Sequence, residues 1–567
     1  MLKLIPSVKK LVINKGFLPN KQILFDESQV DARVANVLKK LDVSAEGTKV
    51  TVTVNGLQGE GYSLLIDEKG INIAAQSVKG AFYAAQTLRQ IFMHEQVPFL
   101  FIEDEPHFAY RGFYHDVTRG KVPTVKTLKK LVDDMAFFKL NALQLYVEHT
   151  YDFKELSDQI KAGGTLTAEE LQELNAYCKQ NFVDFAPSLS TFGHLFELLN
   201  QDKYKDIRCV DDVTAPYRWW GRMRHHTLDP LKDESIKLVK SLIDQYSPNF
   251  DSEFFNICCD ETWDLNERYK DTEYEVSKLY VDFVKKIISH VKTKNKTVMM
   301  WADILLKHPE VIGELPEDTV FLNWNYDANP PEENVAKFAE LNRKQIVCPG
   351  TTTWNRFCEN IEIEEQNISR MAEYGYKYGA LGVLNTNWGD WGNIASIDNS
   401  MYGLILGAAK AWDPLMQIND DFYSAVNFVW YQNENAIQIL KKISRLNSCI
   451  KWMRTCRNYV KIKYNIEDAY DQVISNGTLA DVQSEYKQIE ALLAEKQWKN
   501  EEFRIEMLLA AQGACVCAEQ YEKIMGNNPE RLVDAQAWLT LYSQKWLEKN
   551  KPSELYKIQN VFTVLER

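Results

Sequence analysis

The sequence lacks a cysteine framework, a long apolar run and an excess of positive charge. Its ten cysteines show none of the paired spacing of zinc sites, so we expect free, mostly buried thiols and no metal. No apolar stretch approaches the roughly 20 residues of a membrane-spanning helix, and no membrane partner is predicted. The formal net charge of −13 argues against a nucleic-acid partner, because phosphates would be repelled. A neutral substrate fits this composition better.

No apolar run of signal-peptide length follows the N-terminal residues Met1–Pro6. We therefore expect a cytoplasmic protein, although a signal peptide already removed from the sequence is compatible with this pattern. The length of 567 residues predicts about three domains.

Residues 1–106 are predicted to form a small α+β domain. Alternating apolar residues at Val50–Val54 predict a half-buried strand, and Tyr62–Asp67 and Ile71–Ala75 predict two more. Helical periodicity then runs from Val78 to Phe92. Strands followed by one helix favour a unit of this class.

Residues 107–400 are predicted to form a (β/α)8 TIM barrel, which makes the chain an α/β protein. Short apolar runs alternate there with amphipathic helical stretches, in the rhythm and length of such a barrel. The alternative is an open doubly wound sheet, but no Gly-rich phosphate loop follows the first strand. The eight predicted strands are Gly112–Asp116, Ala142–Glu148, Val183–Ser188, Phe254–Cys259, Thr297–Trp301, Val320–Trp324, Gln345–Pro349 and Ala380–Thr386.

Residues 401–567 are predicted to be a helical C-terminal region that packs on the barrel. Long helical patterns rich in Lys, Glu, Gln and Leu replace the strand signals there. This region shows no catalytic motif of its own. A homodimer in which these helices complete the pocket is compatible with the pattern.

Polar and aromatic residues stand at the ends of the predicted strands. Active sites of such barrels lie at the C-terminal strand ends. Aromatic faces pack on the C–H faces of sugar rings, and carboxylates accept hydrogen bonds from sugar hydroxyls. A core anchor is the plain alternative for any single tryptophan, and Trp219-Trp220 either borders a pocket or holds its loop down. The strand-end residues are Asp116, Glu148 with His149, His194, Asp260 with Glu261, Trp301 with Asp303, Trp324, Trp354, and Trp388 with Asp390.

Asp260 and Glu261 give the strongest local signal. The apolar strand Phe254–Cys259 leads directly into these adjacent acids. Like charges this close push one carboxyl towards its protonated form. A protonated acid beside an ionised one is what glycosidic bond cleavage requires. The plain alternative is an acidic helix start, so spacing alone leaves the role open.

Several motifs follow one another in an order that carries a family likeness. They are Glu60–Asp67, Gly80–Gln90, Tyr110–Arg119, Phe138–Tyr146, Phe192–Leu195, Cys259–Trp263 and Asn387–Asp390. Over about the first 400 residues, this order resembles glycoside hydrolase family 20, the β-N-acetylhexosaminidases.

The resemblance implies an exo-acting enzyme with a carbohydrate substrate that ends in N-acetylhexosamine, and no cofactor. The 2-acetamido oxygen of the substrate would attack the anomeric carbon, while Asp260 orients that group and Glu261 serves as general acid and base. Arg111, the arginine before the glycine of the opening motif, is expected to bind sugar hydroxyls, and Asp116 with Arg119 to form an internal structural pair. The other expected substrate contacts are Glu148, His194, Trp301, Trp324, Trp354, Trp388 and Asp390.

The sequence departs from the family pattern at several positions. Glu148–Thr150 replaces the paired aspartates of the second strand, and Cys258 and Cys259 replace two glycines. Asp390 stands where the family usually has glutamate. The tyrosine that binds the acetamido carbonyl has no clear match, since Thr351–Asn355 occupies the expected stretch. These departures leave the preferred sugar and linkage open.

Two other functions stay open on the sequence. A two-carboxylate hydrolase of unsubstituted hexosides needs a nucleophilic carboxylate about 5 Å from the acid, for which Glu148 is the candidate. A catalytically inactive sugar-binding protein is the other alternative. Retention of both Asp260 and Glu261 argues against it.

Overall fold

The computed structural model describes residues 2–211, 226–495 and 498–566. The Trp219-Trp220 pair lies outside the described residues. Among the helices that the structure describes, none has the length and apolar character needed to cross a membrane.

The N-terminal part is a seven-stranded mixed sheet in the order β1-β7-β5-β6-β4-β2-β3, with helices α1 (Ala32–Leu38) and α2 (Val78–Ile91). The hydroxyl of Ser77 caps α2 by accepting from the N–H of Gly80. Of these elements, β4, β5, β6 and α2 were predicted. β2 and β3 were missed because they are very short, and β1 because it is an exposed edge strand; β7 and α1 were also not predicted. The strands are β1 (Lys10–Phe17), β2 (Gln22–Leu24), β3 (Asp42–Val43), β4 (Thr48–Val54), β5 (Tyr62–Asp67), β6 (Gly70–Ala75) and β7 (Pro98–Asp104).

Eight parallel strands close into a barrel, in the order β10-β11-β12-β13-β14-β15-β8-β9. The predicted TIM barrel, with a small domain before it and helices after it, is confirmed. The strands are β8 (Tyr110–Asp116), β9 (Ala142–Val147), β10 (Asp184–Leu189), β11 (Phe254–Asn256), β12 (Thr297–Trp301), β13 (Val320–Trp324), β14 (Gln345–Cys348) and β15 (Gly382–Asn387).

Helices alternate with these strands and bury an apolar stripe against them. In α3, for example, the buried face consists of Leu128, Leu131, Val132 and Met135. The helices are α3 (Val125–Phe137), α4 (Asp158–Lys161), α5 (Ala168–Gln180), α6 (Phe196–Leu199), α7 (Asp233–Tyr246), α8 (Trp263–Tyr269), α9 (Val276–Lys292), α10 (Asp303–Lys307), α11 (Glu332–Glu340), α12 (Ile361–Lys377) and α13 (Met401–Trp412).

The C-terminal part is helical. Its helices are α14 (Asp420–Val426), α15 (Ala436–Cys449), α16 (Trp452–Lys463), α17 (Leu479–Glu495), α18 (Glu501–Ile524), α19 (Ala535–Lys549) and α20 (Leu555–Glu566). A π-helical turn, Asn427–Tyr431, follows α14. Short 3-10 helices elsewhere are Glu27–Gln29, Asp202–Ile207, Ser247–Asn249, Pro309–Glu314 and Ile397–Ser400.

The small domain contacts the base of the barrel, and the helical region, which also packs on the small domain where Phe428 meets His94, extends to the mouth. Lys139, which precedes β9, pairs with Asp104 of the small domain at 2.9 Å. Asn550 of the helical region pairs instead with Pro123, in the loop after β8. The C-terminal strand ends, the mouth of the barrel, are therefore bordered by the helical region.

Candidate active site

Asp260 and Glu261 lie side by side at the mouth, directly after β11. The Nε2 atom of His194 is 3.3 Å from Oδ2 of Asp260 and 3.4 Å from Oε2 of Glu261. The side chain of Asp260 is 11% exposed and that of Glu261 is 24% exposed. Glu261, the predicted proton donor, is therefore the more exposed of the two carboxyls. One imidazole joins both predicted catalytic acids.

The backbone around the acid pair is left-handed at residues that are not glycine. The φ angles are 57° at Cys258, 68° at Cys259, 47° at Glu261 and 58° at His194. Each costs about 1–2 kcal/mol relative to a right-handed residue. This backbone ends β11 at Asn256, short of the predicted end at Cys259. The two cysteines thus keep a conformation that suits the glycines for which they stand.

Hydrogen bonds hold this strained turn in place. The N–H of Cys258 donates to Oδ1 of Asn256 at 2.9 Å, and the hydroxyl of Tyr280 donates to the carbonyl of Cys259 at 2.8 Å. The N–H of Glu261 donates to Oδ2 of Asp303 at 3.1 Å. Asp303 was noted as a strand-end residue, but this contact was not predicted.

Charge is shared within this cluster. Burial alone would lower the pKa of His194, but the Asp260 charge and the close contacts of its Nε2 with the Asp260 and Glu261 carboxyls raise it well above its usual value. An imidazolium between the two acids is therefore favoured at neutral pH. Burial, and then the charge of Asp260, raise the pKa of Asp303 to about 7. Oδ1 of Asp260 has no hydrogen-bond partner among the described residues.

Within the described part of the chain, two carboxylate-rich groups have the spacing of metal ligands. His194, Asp260 and Glu261 each place one ligand atom within 4.8 Å of the others, and so do Asp398, Glu502 and Glu506. In the second group the ammonium of Lys549 pairs with all three carboxylates. In the first group the raised pKa of His194 favours a hydrogen-bonded imidazolium, whereas a metal ligand must be neutral.

A second cluster of charges surrounds Arg119, in the loop after β8. Its guanidinium lies 3.2 Å from Asp116, 3.6 Å from Glu148 and 3.6 Å from Asp390. It also lies 5.1 Å from the ring centroid of Trp388. Arg119 was predicted to be a structural partner of Asp116, and that pairing is present. Its further contacts place it among the predicted substrate residues.

Arg111 was predicted to bind the sugar, and the structure places it at the other end of the barrel. It is fully buried near the start of β8, where its guanidinium pairs with Glu60 of the small domain at 2.6 Å. It also donates to the carbonyls of Phe108 and Lys139. The seven residues of β8 span about 20 Å, so a side chain at this end cannot reach the mouth. The prediction for Arg111 was wrong.

Glu148 directly follows β9 and faces the same cluster. Its Oε1 accepts from the hydroxyl of Tyr146 at 2.8 Å. Burial would raise the pKa of Glu148, but the neighbouring His149 imidazole, 3.8 Å away, and the charge of Arg119 lower it to about 2. Glu148 is therefore an ionised carboxylate in a cationic setting.

Aromatic side chains line another wall of the mouth. Trp388 is 8% exposed and donates from Nε1 to the hydroxyl of Tyr326 at 2.7 Å. Tyr326 lies between Trp324 and Trp354, with ring centroids 5.1 and 5.0 Å away. Trp301 is fully buried beside Tyr114 and Trp388. The structure thus gives Trp301 no exposed face for a substrate.

Three residues of the site were not predicted as functional. Arg119 follows its strand, which is the position that places a side chain at the mouth. Tyr326 stands two residues after Trp324, so the same criterion would have found it. The Nδ1 atom of His226 accepts from the N–H of His194 at 2.7 Å. No sequence signal marks His226, because its loop meets His194 only in the folded chain.

Comparisons with known proteins agree with this architecture. The profile of "Glycosyl hydrolase family 20, catalytic domain" matches residues 108–425, and that of "Glycosyl hydrolase family 20, domain 2" matches residues 3–105. A β-hexosaminidase of Porphyromonas gingivalis is 25% identical over 334 residues, which are 52% of this chain and 41% of the relative. A lacto-N-biosidase of Bifidobacterium bifidum is 23% identical over 383 residues, with 64% and 31% covered.

Solved structures share the fold. The X-ray structure of a Flavobacterium johnsoniae chitobiase has a TM-score of 0.62 at 15% identity, over 100% of this chain and 99% of that chain. A β-N-acetylhexosaminidase of Bacteroides fragilis has a TM-score of 0.61 at 20% identity, over 76% and 95%. The chain spans less than half the length of the first curated relatives it matches.

Proposed function

The chain belongs to glycosyl hydrolase family 20, and from this membership we propose that it hydrolyses terminal β-N-acetylhexosaminides by a retaining, substrate-assisted reaction. The observation that carries the proposal is the adjacent acid pair Asp260 and Glu261, joined by His194 at 3.3 and 3.4 Å. Curated relatives described as β-hexosaminidases support the substrate class.

In the first step the substrate supplies the nucleophile. The carbonyl oxygen of its 2-acetamido group forms a bond to C1 while the bond from C1 to the leaving oxygen breaks. Glu261 gives its proton to that oxygen, and the aglycone leaves as an alcohol. The unpartnered Oδ1 of Asp260 accepts from the acetamido N–H and stabilises the oxazolinium that forms. An intramolecular nucleophile of this kind can lower the barrier by several kcal/mol.

In the second step water opens the oxazolinium. The ionised Glu261 takes a proton from the water. The water oxygen bonds to C1 as the bond from C1 to the acetamido oxygen breaks. Two inversions retain the β configuration of the sugar. The His194 imidazolium stabilises the ionised Asp260 in both steps and the Glu261 carboxylate once it has given up its proton, because its Nε2 faces both side chains.

Two other groups at the mouth bind the sugar in this proposal: the charge cluster around Arg119 and the aromatic wall that contains Trp388. Arg119, Glu148 and Asp390 offer a donor fork and carboxylates for ring hydroxyls. The exposed parts of the aromatic wall pack on apolar C–H faces. The hydroxyl of Tyr326 accepts a hydrogen bond from Trp388, so the hydroxyl proton of Tyr326 is available to donate. We assign this donor to the acetamido carbonyl of the substrate.

The roles of the two acids are separable by choice of leaving group. Glu261→Gln removes the proton donor, so we expect kcat to fall about 10²–10⁴-fold for methyl β-N-acetylglucosaminide, which has a poor leaving group. The loss should be much smaller for the p-nitrophenyl glycoside, which needs no protonation to leave. Asp260→Asn should slow both substrates. Unchanged hydrolysis of the methyl glycoside by Glu261→Gln would refute the assignment of the acid.

The two-carboxylate alternative makes a different prediction. If Glu148 were the nucleophile, Glu148→Gln would abolish covalent intermediate formation, and activity would not require the acetamido group. In the proposed reaction, Glu148→Gln weakens substrate binding while the reaction still proceeds. The cytoplasmic location and the homodimer stay predictions.

A further inference from the structure

We propose that Lys121 is a positioning residue through which the C-terminal helices hold together the two mouth loops that carry Arg119 and Asp390. The inference rests on the proposed function, since it concerns the residues that recognise the sugar. It gives the helical region a part in substrate binding, although none of its side chains belongs to the charge clusters of the mouth described above.

Lys121 links the first barrel loop to the last one. It stands two residues after Arg119 and is 7% exposed. Its ammonium donates to the carbonyl of Ala395 and lies 3.5 Å from that of Ile394. Both carbonyls belong to the loop after β15, which begins with Trp388 and Asp390. A side chain of one loop thus binds the backbone of the other.

The two loops also touch through their backbones. Gly120 has a φ of 129°, a conformation that favours glycine. A Cβ atom at Gly120 would lie 2.4 Å from the carbonyl oxygen of Gly392. The N–H of Gly389 donates to Oδ2 of Asp116 at 3.0 Å. The spacing of the loops is therefore set by direct contact. Lys121, the residue after Gly120, adds a side-chain link next to this contact.

The C-terminal helices enclose the Lys121 ammonium. It lies 5.0 Å from the ring centroid of Trp546 and 5.6 Å from that of Tyr542, both on α19. The hydroxyl of Tyr542 donates to the carbonyl of Ile394 at 3.0 Å, so it shares an acceptor with the lysine. One helix therefore contacts both the lysine and the loop to which it is bound.

The same helix continues into a segment that fixes the first loop. The N–H of Thr124 donates to the carbonyl of Lys549 at 3.0 Å, and the N–H of Lys551 donates to the carbonyl of Val122 at 2.8 Å. On the last loop, the indole of Trp452 donates to the carbonyl of Trp391 at 2.8 Å. Both loops are thus hydrogen-bonded to the helical region near Lys121.

Lys121 is a buried cation that binds carbonyls. Burial lowers its pKa to about 7, and the charge of Glu506 opposes this shift. Glu506 and Asp398 pair directly with Lys549 instead. His115 lines the same small cavity, and burial followed by the Lys121 charge lowers its pKa to about 4. Lys121 lies where an unpaired charge is costly, yet it is held there by hydrogen bonds to loop carbonyls and by contacts with two aromatic rings. This arrangement points to a role in positioning the loop.

The consequence for the site follows from distance. Asp390 meets Arg119 across the gap between the loops at 3.6 Å. If the loops separate, this contact and the Asp116–Gly389 hydrogen bond lengthen together. A displacement of about 1 Å in a recognition site can cost about 10²-fold in rate.

The test is Lys121→Met in the full chain, which keeps the length and apolar stem but removes the donors. We expect kcat/KM for methyl β-N-acetylglucosaminide to fall about 10- to 100-fold, mostly through KM, with the pH profile unchanged because the acid pair is intact. Lys121→Arg should restore much of the loss. Amide hydrogen exchange of residues 389–399 should become faster in Lys121→Met.

Lys410→Met is the matched control. Lys410 is 2% exposed and donates to the carbonyl of Pro414 at 3.1 Å, so it is also a buried lysine bound to backbone, although it pairs in addition with Glu373 at 3.1 Å. It lies on α13 near the small domain. We expect this change to lower stability and leave kcat/KM and loop exchange unchanged.

The outcomes separate the two proposals. Unchanged kcat/KM and unchanged exchange in Lys121→Met would overturn the positioning role. If the parent protein cleaves no acetamido glycoside, the proposed function fails, and faster exchange of residues 389–399 would still support the link between the loops. Should Lys121→Met not fold, Lys121→Gln keeps a polar side chain that is too short to reach both carbonyls; faster exchange of residues 389–399 in this variant supports the proposal and unchanged exchange contradicts it.

Discussion

Arg111 and Arg119 lie eight residues apart, the first near the start of β8 and the second in the loop after it, and they have opposite surroundings. Arg111 is fully buried at the base of the barrel, where it pairs with Glu60 and donates to backbone carbonyls. Arg119 lies at the mouth, where its side chain is 11% exposed and faces three carboxylates. The first joins two domains, and the second is placed to meet a ligand.

The difference shows that position along a strand decides what a charged side chain does. A barrel strand carries its chain from a base that other domains cover to a mouth that solvent and substrate reach. We therefore expect an arginine near the start of the strand to contribute to stability, and one in the loop after the strand to contribute to recognition. The following predictions test this contrast, from the largest expected effect to the smallest.

Replacing Arg119 should remove activity and leave the fold intact. In Arg119→Met, Asp116, Glu148 and Asp390 lose a shared cation, and the substrate loses a donor fork. We expect kcat/KM to fall about 10³-fold, which corresponds to about 4 kcal/mol. Steady-state kinetics beside thermal unfolding measures this. Arg119→Lys keeps the charge without the fork and should be intermediate. Full activity in Arg119→Met would remove it from the site.

Replacing Arg111 should do the reverse. Arg111→Met leaves the half-buried Glu60 with Lys79 as an ion-pair partner, 2.6 Å away. We expect the free energy of unfolding to drop by about 3 kcal/mol, while the folded protein keeps kcat/KM within about threefold. Denaturant unfolding with kinetics at low temperature tests both statements. A specific loss of substrate affinity at unchanged stability would restore the original prediction for Arg111.

His194 should make stability at the mouth depend on pH. Its pKa in the folded protein lies above the ordinary value of 6.5, so its contribution is fully present below pH 6.5. That contribution is lost as the pH rises through the raised folded-state pKa. The difference in melting temperature between the parent and His194→Gln should therefore shrink from pH 6 to alkaline pH. A difference that grows with pH would contradict the imidazolium assignment.

The smallest effect concerns two buried cysteines of the barrel. Cys258 is left-handed at the mouth, with a φ of 57°, whereas Cys348 lies within β14. Replacement by glycine removes a buried thiol at both positions but relieves backbone strain only at Cys258. We expect Cys258→Gly to cost about 1–2 kcal/mol less than Cys348→Gly in denaturant unfolding. Equal costs would mean that the left-handed turn stores no strain.

The fold could be predicted from the sequence wherever strands are apolar and helices amphipathic. The eight barrel strands begin within about two residues of the predicted positions, because a parallel sheet covered on both faces gives continuous apolar runs. The end of β11 was missed, since no pattern shows that Cys258 and Cys259 adopt left-handed backbone. The exposed β1 was missed because its burial does not alternate.

The acid pair and His194 could be placed from motifs, but the partners that orient them could not. Asp303 and His226 approach the acid pair and His194 through loops far away in sequence, and only the closed barrel brings them within hydrogen-bond distance. Arg111 was misplaced because a motif match gives residue identity without the direction of the strand. Arg119 satisfies the strand-end rule that located the other site residues.

The most direct test of the proposed reaction compares two substrates on the intact chain. We would measure kcat/KM for p-nitrophenyl β-N-acetylglucosaminide and for p-nitrophenyl β-glucoside, which differ only in the 2-substituent. The proposed reaction predicts cleavage of the acetamido substrate at least about 10³-fold faster, because the glucoside lacks the intramolecular nucleophile. Similar rates for both would contradict substrate assistance and move the nucleophile to an enzyme carboxylate such as Glu148.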